Sequence, residues 1–168
     1  LERFLFAMTG NDGDKVAQWM QELKNEGMFT VDQATKEQME KFVVGGAADE
    51  GETLAIIAQC YAENGYVLDT HTAVALKVSR EYRARTKYDG IAVIDSTAHP
   101  CKFVASVLAA LNGQPSEATE LQQLEDLVAK TGIAQHRGLE NLDKKQIRHN
   151  MTCSKEGISA IVQQILAL

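Results

Sequence analysis

The stretch that decides the fold is Ile91-Ala92-Val93-Ile94-Asp95-Ser96-Thr97-Ala98-His99-Pro100-Cys101-Lys102-Phe103. Its first four residues are apolar without alternation, which predicts a short strand buried on both faces of a parallel sheet. Pro100 suits the first turn of a helix, which the apolar spacing extends to Leu111. The pattern thus predicts a strand, a loop with two hydroxyls, and a helix. In open α/β sheets, ligands bind at this place, outside the carboxyl ends of the strands.

Length and composition are those of one globular domain or of one lobe of a larger protein. The 168 residues are 45% hydrophobic and 24% charged, with a formal net charge of -6. The basic residues are scattered, so no nucleic-acid partner is expected. No apolar run is long enough to cross a bilayer, so no membrane partner is expected either. Because the helical pattern starts at Leu1 itself, we expect a longer parent protein.

The cysteines Cys60, Cys101 and Cys153 are widely spaced and form no Cys-x-x-Cys pair. This spacing argues against a structural zinc site or a disulfide framework, and we expect no metal. Free thiols favour a reducing, cytoplasmic setting.

Elsewhere the apolar spacing predicts mainly helices. A second short strand is expected at Tyr66–Leu68, and an isolated strand pair is marginal in water, so we expect the sheet to be completed by residues upstream of Leu1. A short helix is expected at Asp143–His149, and Ser154 is expected to cap a last helix with a buried apolar face. The predicted helices lie at residues 1–9, around 16–23 and ended by Gly27, at about 32–42, from 49 to about 64, from about 70 to the basic residues near 87, from 100 to 111, around 121–128, at 143–149, and from the Ser154 cap to about 166.

The hydroxyls of Ser96 and Thr97 have two interpretations. The residue types alone favour helix capping, because Ser and Thr are common just before a helix. The functional alternative is a hydroxyl that faces a heteroaromatic nitrogen, to which it can donate or from which it can accept. A hydroxyl there would tune an electron-accepting ring more mildly than a carboxylate would.

Two histidines occupy matching places, each after a predicted strand and near a helix start. His71 follows Leu68-Asp69-Thr70, and His99 precedes Pro100. Each is interpreted either as a neutral hydrogen-bonding group or as a packed side chain, since the helix dipole disfavours imidazolium there. Cys101 lies two residues from His99, a spacing that does not bring helical side chains together, so a Cys–His nucleophile pair is not expected.

Three motifs resemble those of one enzyme family. Leu1–Phe6 resembles its Ser-Asn-Phe-Glu-Arg-Leu-Leu-Phe stretch, and Gly65–Val74 resembles Gly-Tyr-x-x-Asp-Pro-His-Thr-Ala-Val. Ser96–Phe103 resembles Ser-Thr-Ala-His-Pro-Ala-Lys-Phe. The family is threonine synthase, and the resemblance covers residues 1 to about 112 in the C-terminal portion of the enzyme. Thr70 replaces the usual proline, and Cys101 replaces the usual alanine.

The resemblance implies the α/β fold of fold-type-II pyridoxal-phosphate enzymes, which is tryptophan-synthase-β-like. Within this chain it implies mostly helices with a few short parallel strands. Residues 1–113 would form the C-terminal part of the pyridoxal-phosphate-binding domain with a helical insertion. Residues 114–168 would form a C-terminal helical segment packed on it. The family converts O-phosphohomoserine and water to threonine and phosphate.

The resemblance also implies roles for residues. The Schiff-base lysine and the glycine-rich phosphate loop would lie upstream of Leu1, so this chain alone is expected to be inactive and without cofactor. Thr97 matches the residue whose hydroxyl faces the cofactor ring nitrogen, with Ser96 beside it. The matched motifs place His71, Thr72 and His99 near that site. Expected partners are the substrate and the N-terminal part of the same protein, and the isolated chain is expected to self-associate.

Two other functions stay open from the sequence. One is a non-catalytic threonine-synthase-like protein that binds a ligand or a partner. The other is an independent helical interaction module with Trp19 and Met20 on an exposed face, against which the apolar character of residues 91–94 argues.

Overall fold

The computed structural model describes residues 1–148 and 150–166, and within these residues it is helical and contains no β-strand. Three short 3-10 turns lie at Pro100–Phe103, Leu142–Lys144 and Lys155–Gly157. The helices are α1 (Glu2–Met8), α2 (Gly13–Glu26), α3 (Gln33–Met39), α4 (Glu50–Asn64), α5 (Thr70–Thr86), α6 (Val104–Asn112), α7 (Glu120–Thr131) and α8 (Ile158–Leu166).

Helix boundaries follow the capping residues. Asp12 and Asp32 accept the amide hydrogen bonds of Lys15 and Thr35, and so begin α2 and α3. Gly27 ends α2 in the left-handed conformation with φ of 77°, which glycine adopts without a Cβ clash. Thr119 begins α7 through a reciprocal capping box with Gln122. These local signals explain why the predicted helices are confirmed over most of the chain.

The first of two compact units comprises Leu1–Asp49 and Lys77–Ile91. Its core consists of Leu5, Val16 and Trp19, and the Trp19 ring stacks on Phe29 with centroids 6.1 Å apart. Trp19 is only 5% exposed, so the expected exposed Trp19 face of an interaction module is not present. The apolar face of α2 packs into the core of this unit.

The second unit comprises Glu50–Leu76 and Ala92–Leu168. Its centre is α6, which packs against both α4 and α7. The core side chains that are completely or almost completely buried are Ile57, Ala73, Val107, Leu108 and Leu127. The start of α6 is therefore held by an apolar core, and the Pro100–Phe103 turn that leads into it carries the candidate site.

Neither predicted strand forms. Val67 and Leu68 are buried in the core, but their backbone joins no ladder. Ile91 and Val93 are 91% and 85% exposed, so the prediction that residues 91–94 are buried is wrong. A strand is stable only where a neighbouring strand takes up its N–H and C=O groups, and no such neighbour lies beside residues 91–94 in the described part of the chain.

The C-terminal predictions also need correction. The expected helix at 143–149 is reduced to the turn Leu142–Lys144, and His149 lies outside the described residues. The expected last helix forms as α8, but its apolar stripe is not buried: Ile158, Val162 and Ile165 are 54%, 46% and 59% exposed. Ser154 precedes it without a side-chain capping hydrogen bond. The apolar spacing predicted the helix but not the contacts of its apolar face.

The cysteines are free, as their spacing predicted. Cys60 and Cys101 are buried in the core of the second unit, and Cys153 is exposed. No group of three or more metal-binding side chains occurs among the described residues. None of the described helices combines the length and the apolar character that a bilayer crossing requires.

Acid sensitivity is predicted for the first unit. The Thr35 amide, followed by the Lys15 ammonium, lowers the pKa of Asp32 from 3.8 to about 2. The group therefore stabilises the fold above its unfolded pKa, and this contribution is lost as the pH falls through the folded value. We expect the melting temperature of wild type to fall more steeply than that of Asp32→Asn over about pH 2 to 5.

Circular dichroism melts of both proteins measure this difference. Asp14→Asn is the control, because it removes a carboxylate from the same unit without removing the cap of α3. Equal acid sensitivity of wild type and Asp32→Asn would contradict the assignment.

Candidate functional site

Two predicted site residues meet where the loop before α6 passes the start of α5. The Thr72 and Ser96 hydroxyl oxygens are 3.5 Å apart, although the residues are 24 positions apart in the chain. Thr97 follows Ser96 directly, and its side chain is exposed. The structure thus brings Ser96 and Thr72 together and leaves Thr97 open to a ligand.

Asp69 organises the α5 side of this meeting point. Its carboxylate is 1% exposed and accepts hydrogen bonds from the His71 and Thr72 amides at 2.9 and 3.1 Å. It also accepts a hydrogen bond from the Thr72 hydroxyl. A buried carboxylate is costly unless it is hydrogen-bonded, and three donors at the start of α5 meet this requirement. Asp69 thus caps the start of α5.

The capping interpretation of Ser96 and Thr97 is wrong, because His99 is the N-cap residue. His99 Nδ1 accepts the hydrogen bond of the Cys101 amide at 3.2 Å. Pro100 occupies the first helical position, so the cap position falls on the residue directly before it. Ser96 and Thr97 lie too early in the chain to reach the free amides, and their hydroxyls remain available for other contacts.

His99 is also paired with a second imidazole. The His99 and His136 rings lie 5.5 Å apart, edge to face, and His136 Nδ1 accepts the hydrogen bond of the Gly138 amide. A nitrogen that accepts an amide hydrogen bond carries no proton, so the neutral form of each ring is the Nε2-protonated tautomer. The Cys101 amide and the His136 ring therefore fix the place of His99 in the loop.

His71 lies on the other side of the Pro100–Phe103 turn. Its ring packs on the Phe103 ring with centroids 4.9 Å apart. The Lys102 ammonium lies 5.3 Å from the Phe103 centroid, within the range of a cation–π interaction. His71 is exposed overall, although one face of its ring packs on Phe103. This position fits both a packed side chain and a hydrogen-bonding group.

A cavity of about 290 Å³ adjoins the Ser96 side of the loop. Its lining is partly apolar and includes the polar side chains of Ser96, His99 and Thr131 together with Tyr66. Its lining residues are Gly65, Tyr66, Val67, Ser96, Ala98, His99, Pro100, Thr131, Gly132 and Ile133. An apolar wall with a few placed polar groups is typical of small-molecule sites, and this volume is near the lower end of their range.

The donor set suits one edge of a heteroaromatic ring. No carboxylate lines the cavity, whereas hydroxyls and an imidazole are present. Hydroxyls can donate a hydrogen bond to a neutral ring nitrogen or accept one from a protonated ring nitrogen. Ser96 and Ala98 line the cavity on either side of Thr97, which is not itself a lining residue.

Sequence reasoning missed three contributors to this region. They are Phe103, His136 and Tyr66, of which Tyr66 was placed in a predicted strand. Asp69, directly before the start of α5, was a usable signal, because Asp is a preferred N-cap residue. No comparable signal linked His136 to His99, since that contact depends on how residues 132–141 fold back.

Residues 72–146 match the family model described as "Threonine synthase, C-terminal". Over 124 residues the chain is 34% identical to human threonine synthase-like 1, covering 74% of this chain and 16% of that protein. It is 30% identical over 129 residues to threonine synthase of Pseudomonas aeruginosa, covering 74% of this chain and 27% of that enzyme. The chain thus spans about a sixth to a quarter of these relatives.

Solved structures define the class of fold. The crystal structure of yeast threonine synthase aligns over 99% of this chain and 34% of that chain, with 26% identity and a TM-score of 0.71. A threonine synthase from Brucella melitensis with bound pyridoxal phosphate aligns over 74% of this chain and 26% of that chain, with 35% identity and a TM-score of 0.57. The fold is that of a segment of threonine synthases.

The sequence and structure comparisons agree with each other. The chain is similar to the C-terminal portion of threonine synthases.

The His99 cap is testable by stability measurements. His99→Ala removes the acceptor of the Cys101 amide, and we expect it to lower the free energy of unfolding by about 1 kcal/mol. His99→Asn is the matched control, because asparagine is also a good N-cap and keeps an acceptor at this position. Urea denaturation measures both variants. An Ala variant as stable as the Asn variant would contradict the capping role.

Proposed function

We propose that this chain is the C-terminal portion of a pyridoxal-phosphate-dependent threonine synthase, which converts O-phosphohomoserine and water to threonine and phosphate. The family match and the pyridoxal phosphate bound to the Brucella relative support the class of reaction. The share of the relatives that the chain spans supports its being one part of a longer enzyme. We propose a cytoplasmic setting, which the free thiols support.

The observation that carries the proposal is the exposure of Thr97 in the loop that leads to α6. Its two chain neighbours, Ser96 and Ala98, line the cavity. We assign the Thr97 hydroxyl to the ring nitrogen of the cofactor, with Ser96 beside it as a second cofactor-binding residue. His71, Thr72 and His99 are assigned to the surroundings of the same site.

The cofactor supplies an electron-accepting ring when bound. The residues of this chain then act by position. Thr97 forms a hydrogen bond to the ring nitrogen and orients the ring, without adding a negative charge there. The apolar walls formed by Val67, Pro100 and Ile133 keep water away from the ring edge. The Schiff-base lysine, which moves protons, is assigned to the part of the enzyme before Leu1.

A non-catalytic threonine-synthase-like protein is the second candidate function, because human threonine synthase-like 1 is among the relatives at 34% identity. The discriminating observation is the sequence upstream of Leu1. A lysine after a strand, together with a glycine-rich loop, supports the enzyme. Absence of both from the parent protein supports the ligand-binding or interaction role.

Thr97→Val tests the cofactor-facing hydroxyl in the complete enzyme. Valine has the same shape but no hydroxyl, so we expect kcat to fall at least about tenfold, as for loss of a hydrogen bond to a charged or polarised group. The melting temperature should change little, because Thr97 is exposed. Thr97→Ser keeps the hydroxyl and is the control. Steady-state kinetics and melting curves decide, and unchanged turnover of the Val variant would refute the assignment.

The isolated chain exposes apolar surface, which we assign to contact with the N-terminal part of the enzyme. Among the described residues, Ile91 and Val93 are the most exposed large apolar side chains. Exposed apolar patches favour association, so we expect the isolated 168-residue chain to elute earlier from size-exclusion columns as its concentration rises.

Matched variants locate the associating surface. The double variant Ile91→Asp with Val93→Asp should shift the elution toward the monomer. Met28→Asp, at an apolar residue that is 65% exposed in the first unit, should not. Wild-type chain that stays monomeric at every concentration would contradict the expectation.

A further inference from the structure

We propose that Asp69 and Thr72 are positioning residues that hold Ser96, and through it the exposed Thr97 hydroxyl, in the orientation that faces the cofactor. The inference rests on the proposed function, but its structural part concerns only residues of this chain. It assigns a role to the Asp69-Thr72-Ser96 relay, by which we mean the chain of hydrogen bonds from the Asp69 carboxylate through the Thr72 hydroxyl to the Ser96 hydroxyl.

The first link differs from an ordinary helix cap in its burial. Asp32 caps α3 with the same pattern, since it accepts hydrogen bonds from both the amide and the hydroxyl of Thr35. The side chain of Asp32 is 39% exposed and is paired with Lys15, whereas Asp69 as a whole is 1% exposed. Placing a carboxylate in the core is costly, and capping alone does not require it.

The second link follows from counting hydrogens. A threonine hydroxyl has one hydrogen, and Thr72 donates it to Asp69. The Thr72 oxygen is then left to accept, and the Ser96 hydroxyl lies 3.5 Å from it. The relay therefore directs the Ser96 hydrogen toward Thr72 and leaves the lone pairs of Ser96 for the cavity that Ser96 lines.

The third link is the scarcity of other restraints on the loop. Within the described part of the chain, residues 91–98 make one hydrogen bond, which is the contact of the Ser96 hydroxyl with the Thr72 hydroxyl. The segment has no strand partner there, and most of its side chains are exposed. Within the described part of the chain, the hydrogen bonds that restrain the loop on either side of Thr97 are therefore this contact and the cap at His99.

The test compares Thr72→Val, which removes the hydroxyl, with Thr72→Ser, which keeps it. Both are made in the complete protein loaded with pyridoxal phosphate, and hydrogen–deuterium exchange is followed in residues 91–98. We expect Thr72→Val to speed exchange about fivefold at those amides of this segment that the complete protein protects, which is a typical net hydrogen bond converted to a ratio of rates. It should also shift the absorption band of the bound cofactor and lower kcat, and Thr72→Ser should restore all three.

Thr35→Val is the matched control, because it removes the same hydroxyl–carboxylate bond at the start of α3. It should leave exchange in residues 91–98 and the cofactor band unchanged. Equal exchange of residues 91–98 in Thr72→Val and Thr35→Val would overturn the inference, whatever the cofactor does.

The two hypotheses fail in different ways. Faster exchange in Thr72→Val with an unshifted cofactor band and unchanged kcat would overturn the link from the relay to the cofactor. Unchanged turnover of Thr97→Val would instead overturn the proposed function. A Thr72→Val protein that fails to fold is replaced by Ser96→Ala, which breaks the same contact from the exposed side and should give the same exchange and spectral changes.

Discussion

The packing of α6 against α4 and α7 is the constraint on which the second unit depends. Val107 and Leu127 are completely buried in this packing, and Leu108 is 2% exposed. Interiors are packed as densely as organic crystals, so the first residue of α6 is held within narrow limits. The Pro100–Phe103 turn joins this helix, and the loop with Ser96 and Thr97 ends at that turn. The geometry of the candidate site is therefore inherited from the core rather than from the loop itself.

Helices were predictable because their determinants are local. Asp12 and Asp32 before α2 and α3, and the glycine at position 27, are read directly from neighbouring residues. The strands were not predictable in this chain, because a strand depends on a partner that the run Ile91–Ile94 cannot supply for itself. The predicted burial of the apolar face of α8 was wrong for the same reason. Amphipathic spacing predicts a helix but does not identify what covers its apolar face.

The candidate site was predictable in composition but not in connectivity. The residues Ser96, Thr97, His71, Thr72 and His99 were all singled out, and Thr72 and Ser96 are in contact. Which residue caps the turn was predicted incorrectly, since His99 rather than a hydroxyl residue accepts the amide. His99 and His136 are in contact although they are 37 positions apart in the sequence. Local residue spacing does not predict such tertiary contacts.

The three thiols differ in burial, so their reactivity can report local unfolding of the second unit. Cys60 on α4 and Cys101 in the turn before α6 are 6% and 5% exposed, whereas Cys153 is exposed. An alkylating reagent reaches the first two only when the packing of the second unit opens, while the third reacts in the closed state. The alkylation rate of Cys60 and Cys101 relative to that of Cys153 therefore reports how often the core of the second unit opens. The comparison is made within one molecule and needs no added label.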